Sequence, residues 1–257
     1  MRLIQKWLRA GVLEDGEVAE SEDGIQQGAS ASPLLANVYL HYVYDLWVQW
    51  WRRNRAQGDM FVVRFADDTV VGFQYKSDAD QFLTDLKERF LKFGLELHPE
   101  KTRLILFGRY AAQRRQERNE GKPESFKFLG LTHSCGKSRN GKFMIIRHTI
   151  KKRMRAKVQE VKEELRYRMH APIKETGKWL ASVLVGHYRY YGVSCNFRAM
   201  EQFRYQVYCA WRHALNRRSQ KARITWDKLN KIIDRWLPKP RIYHEHPMVR
   251  FMRSHPR

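Results

Sequence analysis

Two adjacent aspartates sit between two short apolar runs, and this pattern constrains the local fold more than any other feature of the chain. The stretch reads FVVRFADDTVVGF, from Phe61 to Phe73. β-Branched and aromatic runs on either side of a short polar break are typical of a hairpin. Because successive strand residues point to opposite faces, at most one of Asp67 and Asp68 aims fully into a given cleft. The pattern predicts two strands that meet at the aspartates.

The aspartate pair is suited to binding a divalent cation. Neighbouring carboxylates repel each other, and a cation that binds both removes the repulsion. Mg²⁺ prefers one or two carboxylates together with phosphate oxygens and water, which suits metal-assisted phosphoryl transfer on nucleic acid. The alternative is a surface turn with two solvated acids, since turns are rich in aspartate. The apolar flanks favour a hairpin that is held in a sheet.

Positive charge is concentrated in the second half of the chain. The 257 residues carry a formal net charge of +22. Residues 1–128 hold 19 Lys and Arg against 19 Asp and Glu, whereas residues 129–257 hold 30 against 8. This asymmetry predicts a near-neutral first module and a second module that binds a polyanion. The many Tyr and Trp residues favour nucleic acid over an anionic membrane, because bases stack on such rings.

Neither a membrane span nor a disulfide framework is predicted. No apolar run approaches the roughly 18 residues that are needed to cross a bilayer. Cys135, Cys195 and Cys209 are odd in number and match no zinc motif, which is typical of reduced thiols. We therefore expect a soluble, cytoplasmic protein with no membrane partner.

The hydrophobic periodicity divides the chain into a mixed module and a helical one. Apolar residues recur at helical spacing before and after the aspartate hairpin, at positions 35–50 and 82–93. The stretches FKFLGLTH and GKFMIIRH are typical of two paired strands. After Ile150 the periodicity stays helical. The pattern predicts an α+β domain over residues 1–149 and an all-α basic domain over residues 150–257.

Four ordered stretches resemble the palm of a group II intron-type reverse transcriptase. They are GIQQGASASPLLANVYLH, VRFADDTVVGF, FGLELHPEKTRLILFGR and FKFLGLTHSCGKSRNGKF. Three later stretches are similar to the thumb or maturase domain of the same family, namely RMHAPIKETGKWLASVLVGHYRYYGV, RRSQKARITW and WLPKPRIYHEHP. The resemblance implies a partial right-hand polymerase palm, an antiparallel sheet with packed helices, followed by an all-α basic thumb/maturase domain that binds RNA.

The resemblance also implies roles for individual residues. Asp67 is expected to be a direct ligand at a catalytic site for two Mg²⁺ ions, and Asp68 its neighbour at the same site. Residues that contact substrate or template are expected at Gln27, Gly28, Phe65, Ala66 and Lys101, and a primer grip at Phe128, Leu129 and Gly130.

Basic and aromatic side chains of the second half are expected to hold RNA. The run KKRMRAK over residues 151–157 has the composition of a solvated helix face, but the charge of its half favours phosphate contact. Tyr188 and Tyr190 are candidates for stacking on bases, whereas other aromatics at helical spacing suit core packing. The expected RNA-binding residues are Lys151, Lys152, Arg153, Arg155, Lys157, Tyr188, Arg189, Arg217 and Arg218.

The chain also departs from the family pattern. Phe65 stands where the family has Tyr, Gln26 stands for Pro and Ala29 for Gly. The family needs a third carboxylate from an earlier strand, and the acids before Gly24 lie in a polar stretch without an aromatic strand around them. We therefore expect a C-terminal portion of such a protein, without fingers and first palm motif and inactive alone, that an upstream polypeptide would complete.

Two main functions follow from these expectations. The first is an RNA-directed DNA polymerase that uses two Mg²⁺ ions and dNTPs to extend a DNA primer on an RNA template, and that assists splicing of a group II intron RNA. The second is a non-catalytic maturase that binds the folded intron RNA. A general nucleic-acid binder is a third alternative.

Overall fold

Helices and antiparallel strands both occur among residues 12–14, 17–19, 32–218 and 224–254, which are the residues that this computed structural model describes. The α+β fold class is therefore confirmed. The chain divides into two compact units, Met1–Leu104 and Ile105–Arg257. None of the described helices is long and apolar enough to cross a membrane. The expected template residues Gln27 and Gly28 lie outside the described residues.

In the first unit, helices pack on a two-stranded hairpin. A second, shorter hairpin lies in the polar stretch before Gly24, where Leu13 pairs with Val18 and Glu14 with Glu17. The described elements of this unit are β1 (Val12–Glu14), β2 (Glu17–Ala19), α1 (Ser32–Leu40), a π-helical segment (His41–Asp45), α2 (Leu46–Asn54), β3 (Met60–Phe65), β4 (Asp68–Phe73) and α3 (Lys76–Leu91).

The π-helical segment shifts the buried face of the helix that contains it. The apolar spacing predicts a buried stripe that includes positions 42, 43, 46 and 50, but only Val43 of these four is buried, whereas Tyr42, Leu46 and Trp50 are exposed. The structure also buries Tyr44, Val48 and Trp51. A turn closed by i→i+5 bonds holds one more residue than an α-turn, so the buried positions move along the chain by one residue.

The core of the first unit is aromatic. Trp51 contacts Phe82 edge to face, with ring centroids 5.1 Å apart, and Phe73 at 6.0 Å. The indole Nε1 of Trp51 donates a hydrogen bond to Asp85 Oδ2 at 2.7 Å, so the buried ring keeps a polar partner. The hydrophobic cluster comprises Tyr44, Val48, Trp51, Met60, Phe82 and Leu86.

The second unit combines a three-stranded antiparallel sheet with a helical region. The stretch FKFLGLTH, expected to be one strand, is itself a hairpin in which Phe126 pairs with His133 and Phe128 with Leu131. The second half of this stretch pairs with GKFMIIRH as predicted, with Thr132 opposite His148 and His133 opposite Arg147. The sheet and the helices that follow it belong to the same compact unit. The predicted boundary between a palm domain and an RNA-binding domain at residue 149 stays a prediction. The described elements are α4 (Ala111–Glu117), β5 (Phe126–Phe128), β6 (Leu131–Lys137), β7 (Phe143–Thr149), α5 (Lys151–Tyr167), α6 (Ile173–Tyr191), α7 (Phe197–Asn216), α8 (Trp226–Trp236) and α9 (Pro247–Ser254).

Helices α5 to α8 enclose the main core of the second unit. Leu184, Phe203 and Trp211 are 0% exposed within it. Gly177 lets α8 approach α6, since an added Cβ would lie 2.5 Å from Trp236 Cγ. The buried side chain of Asn196 accepts a hydrogen bond from the Thr149 N–H at 2.9 Å, which fastens the end of the sheet to the start of α7.

A buried histidine of α6 belongs to this core. The His187 ring stacks on Phe203, with centroids 3.8 Å apart. Burial, with a smaller contribution from the charge of Lys157, lowers the pKa of His187 to about 4. Its Nε2 has no hydrogen-bond partner among the described residues. The imidazole is therefore neutral at pH 7 and must be charged only when the protein unfolds or the solution is strongly acidic.

This pKa predicts an acid-dependent loss of stability. The unfolded chain takes up the proton near pH 6.5, whereas the folded protein takes it up only near pH 4. Between these values the unfolded state binds more protons, so His187 should reduce the free energy of unfolding by about 2 to 3 kcal/mol as the pH falls. The replacement His187→Phe keeps a ring against Phe203 and should remove this part of the decline. Urea unfolding at several pH values across this range measures the free energy of unfolding. If it fell equally with pH in His187→Phe and in the unaltered protein, the low pKa of His187 would not be the cause.

Candidate functional site

The predicted hairpin around the aspartates is confirmed. Strands β3 and β4 pair in register from Met60 opposite Phe73 to Phe65 opposite Asp68. This register leaves Ala66 and Asp67 as a two-residue turn, while Asp68 begins β4. Phe65, Ala66, Asp67 and Asp68 are all exposed. The structure thus brings four of the predicted site residues together at one hairpin tip.

The two faces of this hairpin differ. Along β3, Met60, Val62 and Arg64 turn toward the unit, whereas Phe61 and Phe65 remain 60% and 62% exposed on the other face. Residues directly opposite in an antiparallel pair share a face. Asp68 therefore lies on the exposed face beside Phe65, and Asp67 lies at the tip itself. The two carboxylates have separate positions around the same turn.

The turn has a strained backbone. Ala66 has a φ of +54°, in the left-handed region that costs an L-residue with a side chain about 1 to 2 kcal/mol. Its carbonyl oxygen accepts a hydrogen bond of 2.8 Å from Nη1 of Arg64. This contact holds the turn in a conformation that its sequence alone does not favour.

Arg64 links the turn to the helix behind it. Its Nε and Nη2 donate to Oδ1 and Oδ2 of Asp45 at 2.7 and 2.6 Å, a bidentate geometry. Its Nη1 also donates to Asn37 Oδ1 at 2.9 Å. The Arg64 guanidinium lowers the pKa of the Asp45 carboxyl, because it donates hydrogen bonds to the ionised form. One side chain therefore connects α1, the π-helical segment and the hairpin turn.

A second contact lies beside the first. The hydroxyl groups of Tyr44 and Thr69 are 2.8 Å apart and share a hydrogen bond. Tyr44 and Asp45 both lie in the π-helical segment, a local geometry that is frequent at functional sites. The segment thus presents two neighbouring polar groups to the two strands of the hairpin.

The sequence analysis missed Arg64, although one signal was present. Arg64 occupies an inward position of an otherwise apolar strand, in alternation with Met60 and Val62. A charged group at an inward position needs a partner, because leaving it unpaired away from water is costly. An arginine at an inward strand position therefore predicts an acidic partner inside the unit. Nothing in the sequence pattern identifies Asp45 as that partner.

The carboxylates of Asp67 and Asp68 are available as ligands for Mg²⁺. Neither Asp67 nor Asp68 has an ion-pair or hydrogen-bond partner among the described residues. Within the same ranges no group of three or more His, Cys, Asp or Glu side chains is placed to hold a metal ion. The described part of the chain thus offers two carboxylates, the number that Mg²⁺ takes when phosphate oxygens and water complete its shell. Most of the acids before Gly24, where the family's third carboxylate was not expected, lie outside the described residues.

Lys101 lies in the same unit as the hairpin. It is exposed, in a turn where its N–H donates to the His98 carbonyl at 3.3 Å. This geometry leaves its ammonium group accessible to an anion. Its expected contact with nucleotide phosphates stays a prediction.

The expected primer grip is also a hairpin turn. Phe128 pairs with Leu131, and Leu129 and Gly130 form the two-residue connection with φ values of +47° and +75°. Positive φ at both positions is the pattern of a type I′ turn. The Leu129 carbonyl accepts a hydrogen bond of 3.2 Å from the Tyr190 hydroxyl.

Gly130 brings this turn against the helices of the second unit. An added Cβ would lie 2.9 Å from the Tyr191 hydroxyl oxygen and 3.1 Å from a guanidinium nitrogen of Arg153. The Gly130 carbonyl accepts a hydrogen bond of 3.1 Å from the Ile150 N–H, just before α5 begins. The structure therefore joins the expected primer grip to residues that were expected to bind RNA.

Most of the expected RNA-binding cations are on the surface. Helix α5 buries Met154 and Val158 and leaves its basic residues exposed on the other faces. Lys157 is exposed but forms an ion pair of 2.7 Å with Glu160. The exposed members of the set are Lys151, Lys152, Arg153, Arg155, Lys157, Arg189 and Arg217.

Two of the expected RNA-binding residues, Tyr188 and Arg218, contact other parts of the protein. Tyr188 is 0% exposed, and its hydroxyl donates to the Pro238 carbonyl at 3.1 Å. The expectation that Tyr188 stacks on RNA is wrong, because its ring is enclosed by the helical core. Arg218 is half-buried and donates to the Ala171 carbonyl at 2.8 Å, and burial lowers its pKa. Tyr190, by contrast, is 53% exposed.

Comparisons with known proteins agree with the sequence motifs. A family model described as "Reverse transcriptase (RNA-dependent DNA polymerase)" matches residues 1–133. A stretch of 40 residues is 50% identical to the group II intron-encoded protein LtrA of Lactococcus lactis subsp. cremoris, and the same holds for LtrA of strain MG1363. The match covers 16% of this chain and 7% of LtrA, so the aligned part is a small fraction of that relative.

The Arg64–Asp45 pair predicts a large effect of a single substitution. Asp45→Ala should reduce the free energy of unfolding by about 1 to 3 kcal/mol, because it leaves a mostly buried guanidinium without its bidentate partner. It should also speed amide hydrogen exchange in the hairpin. Chemical denaturation and hydrogen exchange measure the two effects.

Asp80 provides a matched control, since it pairs with Lys76 at 3.8 Å on the surface. Asp80→Ala removes the same type of side chain and should cost no more than about 0.5 kcal/mol. Equal effects of the two substitutions would show that the Asp45 contacts do not stabilise the hairpin.

Proposed function

Because this chain belongs to the reverse transcriptase (RNA-dependent DNA polymerase) family, we propose that it takes part in DNA synthesis on an RNA template. The observation that carries the proposal is the pair of unpaired, exposed carboxylates at a hairpin tip that Arg64 holds in place. The 40-residue similarity to a group II intron-encoded protein supports the group II intron type. The proposed substrates are a DNA primer, an RNA template and dNTPs.

In this proposal Asp67 and Asp68 hold two Mg²⁺ ions together with substrate phosphates. When bound, the ions would activate the primer hydroxyl and neutralise charge on the transferred phosphoryl group. Arg64 keeps the turn in place, so the carboxylates need little reorganisation. Phe65 and Ala66 line the same tip, and the exposed ammonium of Lys101 would attract the phosphates of the incoming nucleotide.

The second unit would hold the nucleic acid. The Phe128–Gly130 turn is proposed to contact the primer, and the exposed cations of α5, with Arg189 and Arg217, to contact RNA phosphates. The same surface would bind a group II intron RNA and assist its splicing. An upstream polypeptide that supplies a third carboxylate is the further partner that catalysis would need.

One observation favours a second candidate function, a maturase that binds intron RNA without catalysis. Only two carboxylates meet at the tip among the described residues, whereas α5 exposes several Lys and Arg side chains that could contact phosphates. RNA binding needs only those side chains. DNA synthesis needs the complete set of metal ligands, so the two functions can be separated by substitution.

Asp67→Ala should abolish DNA synthesis and leave RNA binding intact. Primer extension on an RNA template, measured in the presence of a supplied polypeptide that carries the first palm motif, should fall at least about a hundredfold. Asp59→Ala removes an exposed acid of the same unit and should have little effect. Equal activity of Asp67→Ala and the unaltered protein would reject the active-site assignment. RNA binding without synthesis by any mixture would favour the maturase.

RNA binding by α5 should depend strongly on salt. Replacing Lys151, Lys152 and Arg155 with Gln removes three exposed cations, and each lost phosphate contact should reduce the log–log salt slope by about 0.7 to 0.9. The matched control replaces Arg52, Arg53 and Lys92, which are exposed in the first unit. Filter binding of intron RNA at several salt concentrations measures both slopes. A similar change in the control would show that net charge alone, rather than the α5 face, determines binding.

A further inference from the structure

Three aromatic side chains on α7 and α8 form a nearly parallel series. The rings of Tyr205 and Tyr208 have centroids 6.0 Å apart and planes that differ by 20°. The rings of Tyr208 and Trp226 are 6.5 Å apart and differ by 19°. Tyr205 is 66% exposed and Trp226 55% exposed. We call these three residues the aromatic ladder.

A cation contacts the ladder. The Arg212 guanidinium carbon lies 3.8 Å from the centroid of the Trp226 ring. A guanidinium at this distance interacts favourably with an aromatic face and keeps donors for other partners. Arg212 thus places one positive charge beside Trp226.

The core of the second unit uses only one ring of the ladder, since Tyr208 packs partly against it whereas Tyr205 and Trp226 are exposed. Helix α7 buries Phe203, Val207 and Trp211 on one side. Tyr205, Tyr208 and Arg212 follow one another at the three- and four-residue spacing of another face. Large exposed aromatics at helical spacing are then available to a partner, and exposed apolar surface of this kind marks interaction sites.

The charges around the ladder favour bases over phosphates as its ligands. Glu201 lies one helical turn before Tyr205, and Asp227 follows Trp226; both are exposed. These acids offset the positive charge of Arg212, so the immediate surroundings of the ladder attract phosphate less than the rest of the unit does. The wider unit is strongly basic, since residues 129–257 hold 30 Lys and Arg against 8 Asp and Glu. We therefore expect a nucleic-acid strand that is attracted by the positive charge of the unit to contact the ladder through its bases.

We propose that the aromatic ladder is a stacking platform for unpaired bases of single-stranded RNA. Bases have a π-face whatever their sequence, so such a platform binds unpaired segments with little sequence preference. Duplex RNA keeps its bases stacked inside the helix and cannot use it. The inference rests on the proposed RNA binding by the second unit, but it adds a site whose contribution comes from rings rather than from phosphate contacts.

The first test replaces the two exposed rings. Tyr205→Ala and Trp226→Ala should each weaken binding of an oligouridylate of about 12 nucleotides by roughly 5- to 100-fold. The log–log salt slope should stay the same, because no phosphate contact is lost. Binding of an RNA duplex of equal length should not change. Circular dichroism confirms that these surface variants remain folded.

Two controls make the test specific to stacking. Tyr205→Phe keeps the ring and should retain nearly all of the affinity. Tyr167→Ala removes an exposed ring, 87% accessible, from the end of α5 and outside the ladder, and should have no effect. A loss with Tyr205→Phe as large as with Tyr205→Ala would overturn the stacking role.

A second measurement needs no change to the rings. Cys209 is an exposed free thiol next to the Tyr205 side chain. Saturating oligouridylate should slow alkylation of Cys209, as followed by mass spectrometry. The Tyr205→Ala, Trp226→Ala double variant should lose this protection.

The outcomes separate this inference from the proposed function. Unchanged affinity in the ladder variants, or an equal loss for duplex and single strands, would overturn the ladder and leave RNA binding by α5 in place. Tighter binding of a DNA oligonucleotide of the same length would overturn RNA as the occupant. If the unaltered protein bound no RNA at all, the proposed RNA-binding function would fail, and the ladder proposal with it.

Discussion

The ion pair between Arg64 and Asp45 determines how the hairpin tip can act. Its bidentate geometry and the contact with the Ala66 carbonyl occupy the guanidinium on several sides. Arg64 is the cation nearest to Asp67 and Asp68 in sequence, yet it neutralises a different acid. Arg64 therefore does not occupy the two tip carboxylates, and they remain open to an external cation.

The two hairpin turns that the family resemblance associates with catalysis and primer contact share one design. Ala66 and Leu129 both carry side chains and both have positive φ values. In each turn the carbonyl of that residue accepts a side-chain hydrogen bond, from Arg64 in one case and from Tyr190 in the other. Each donor offsets part of the strain of a left-handed residue. Backbone strain of this kind is common at functional sites, where the surrounding structure fixes it.

Local patterns in the sequence predicted two of the strand pairings, because strand alternation and turn residues act over a few positions. The aspartate hairpin and the β6–β7 pairing are confirmed, whereas the β1–β2 and β5–β6 hairpins were not predicted. Contacts between distant residues were not predictable in the same way. Asp45 is 19 residues from Arg64, and the carbonyl that binds Tyr188 is 50 residues further along the chain. Helical spacing shows which residues share a face of a helix. It does not show which face a helix from a later part of the chain will cover.

The π-helical segment is the place in its helix where the number of residues can change with the least disturbance. Its wide turn accommodates one residue more than a regular α-helix would. Loss of one residue from His41–Asp45 would convert it into a regular α-turn and keep the flanking helices in register, but would remove the wide turn that presents Tyr44 and Asp45 to the hairpin. Loss of one residue within α2 would instead rotate the residues before it by about 100° relative to those after it, and the packing of Val48 and Trp51 would be broken. Among natural variants, single-residue deletions should therefore be tolerated better in His41–Asp45 than in α2.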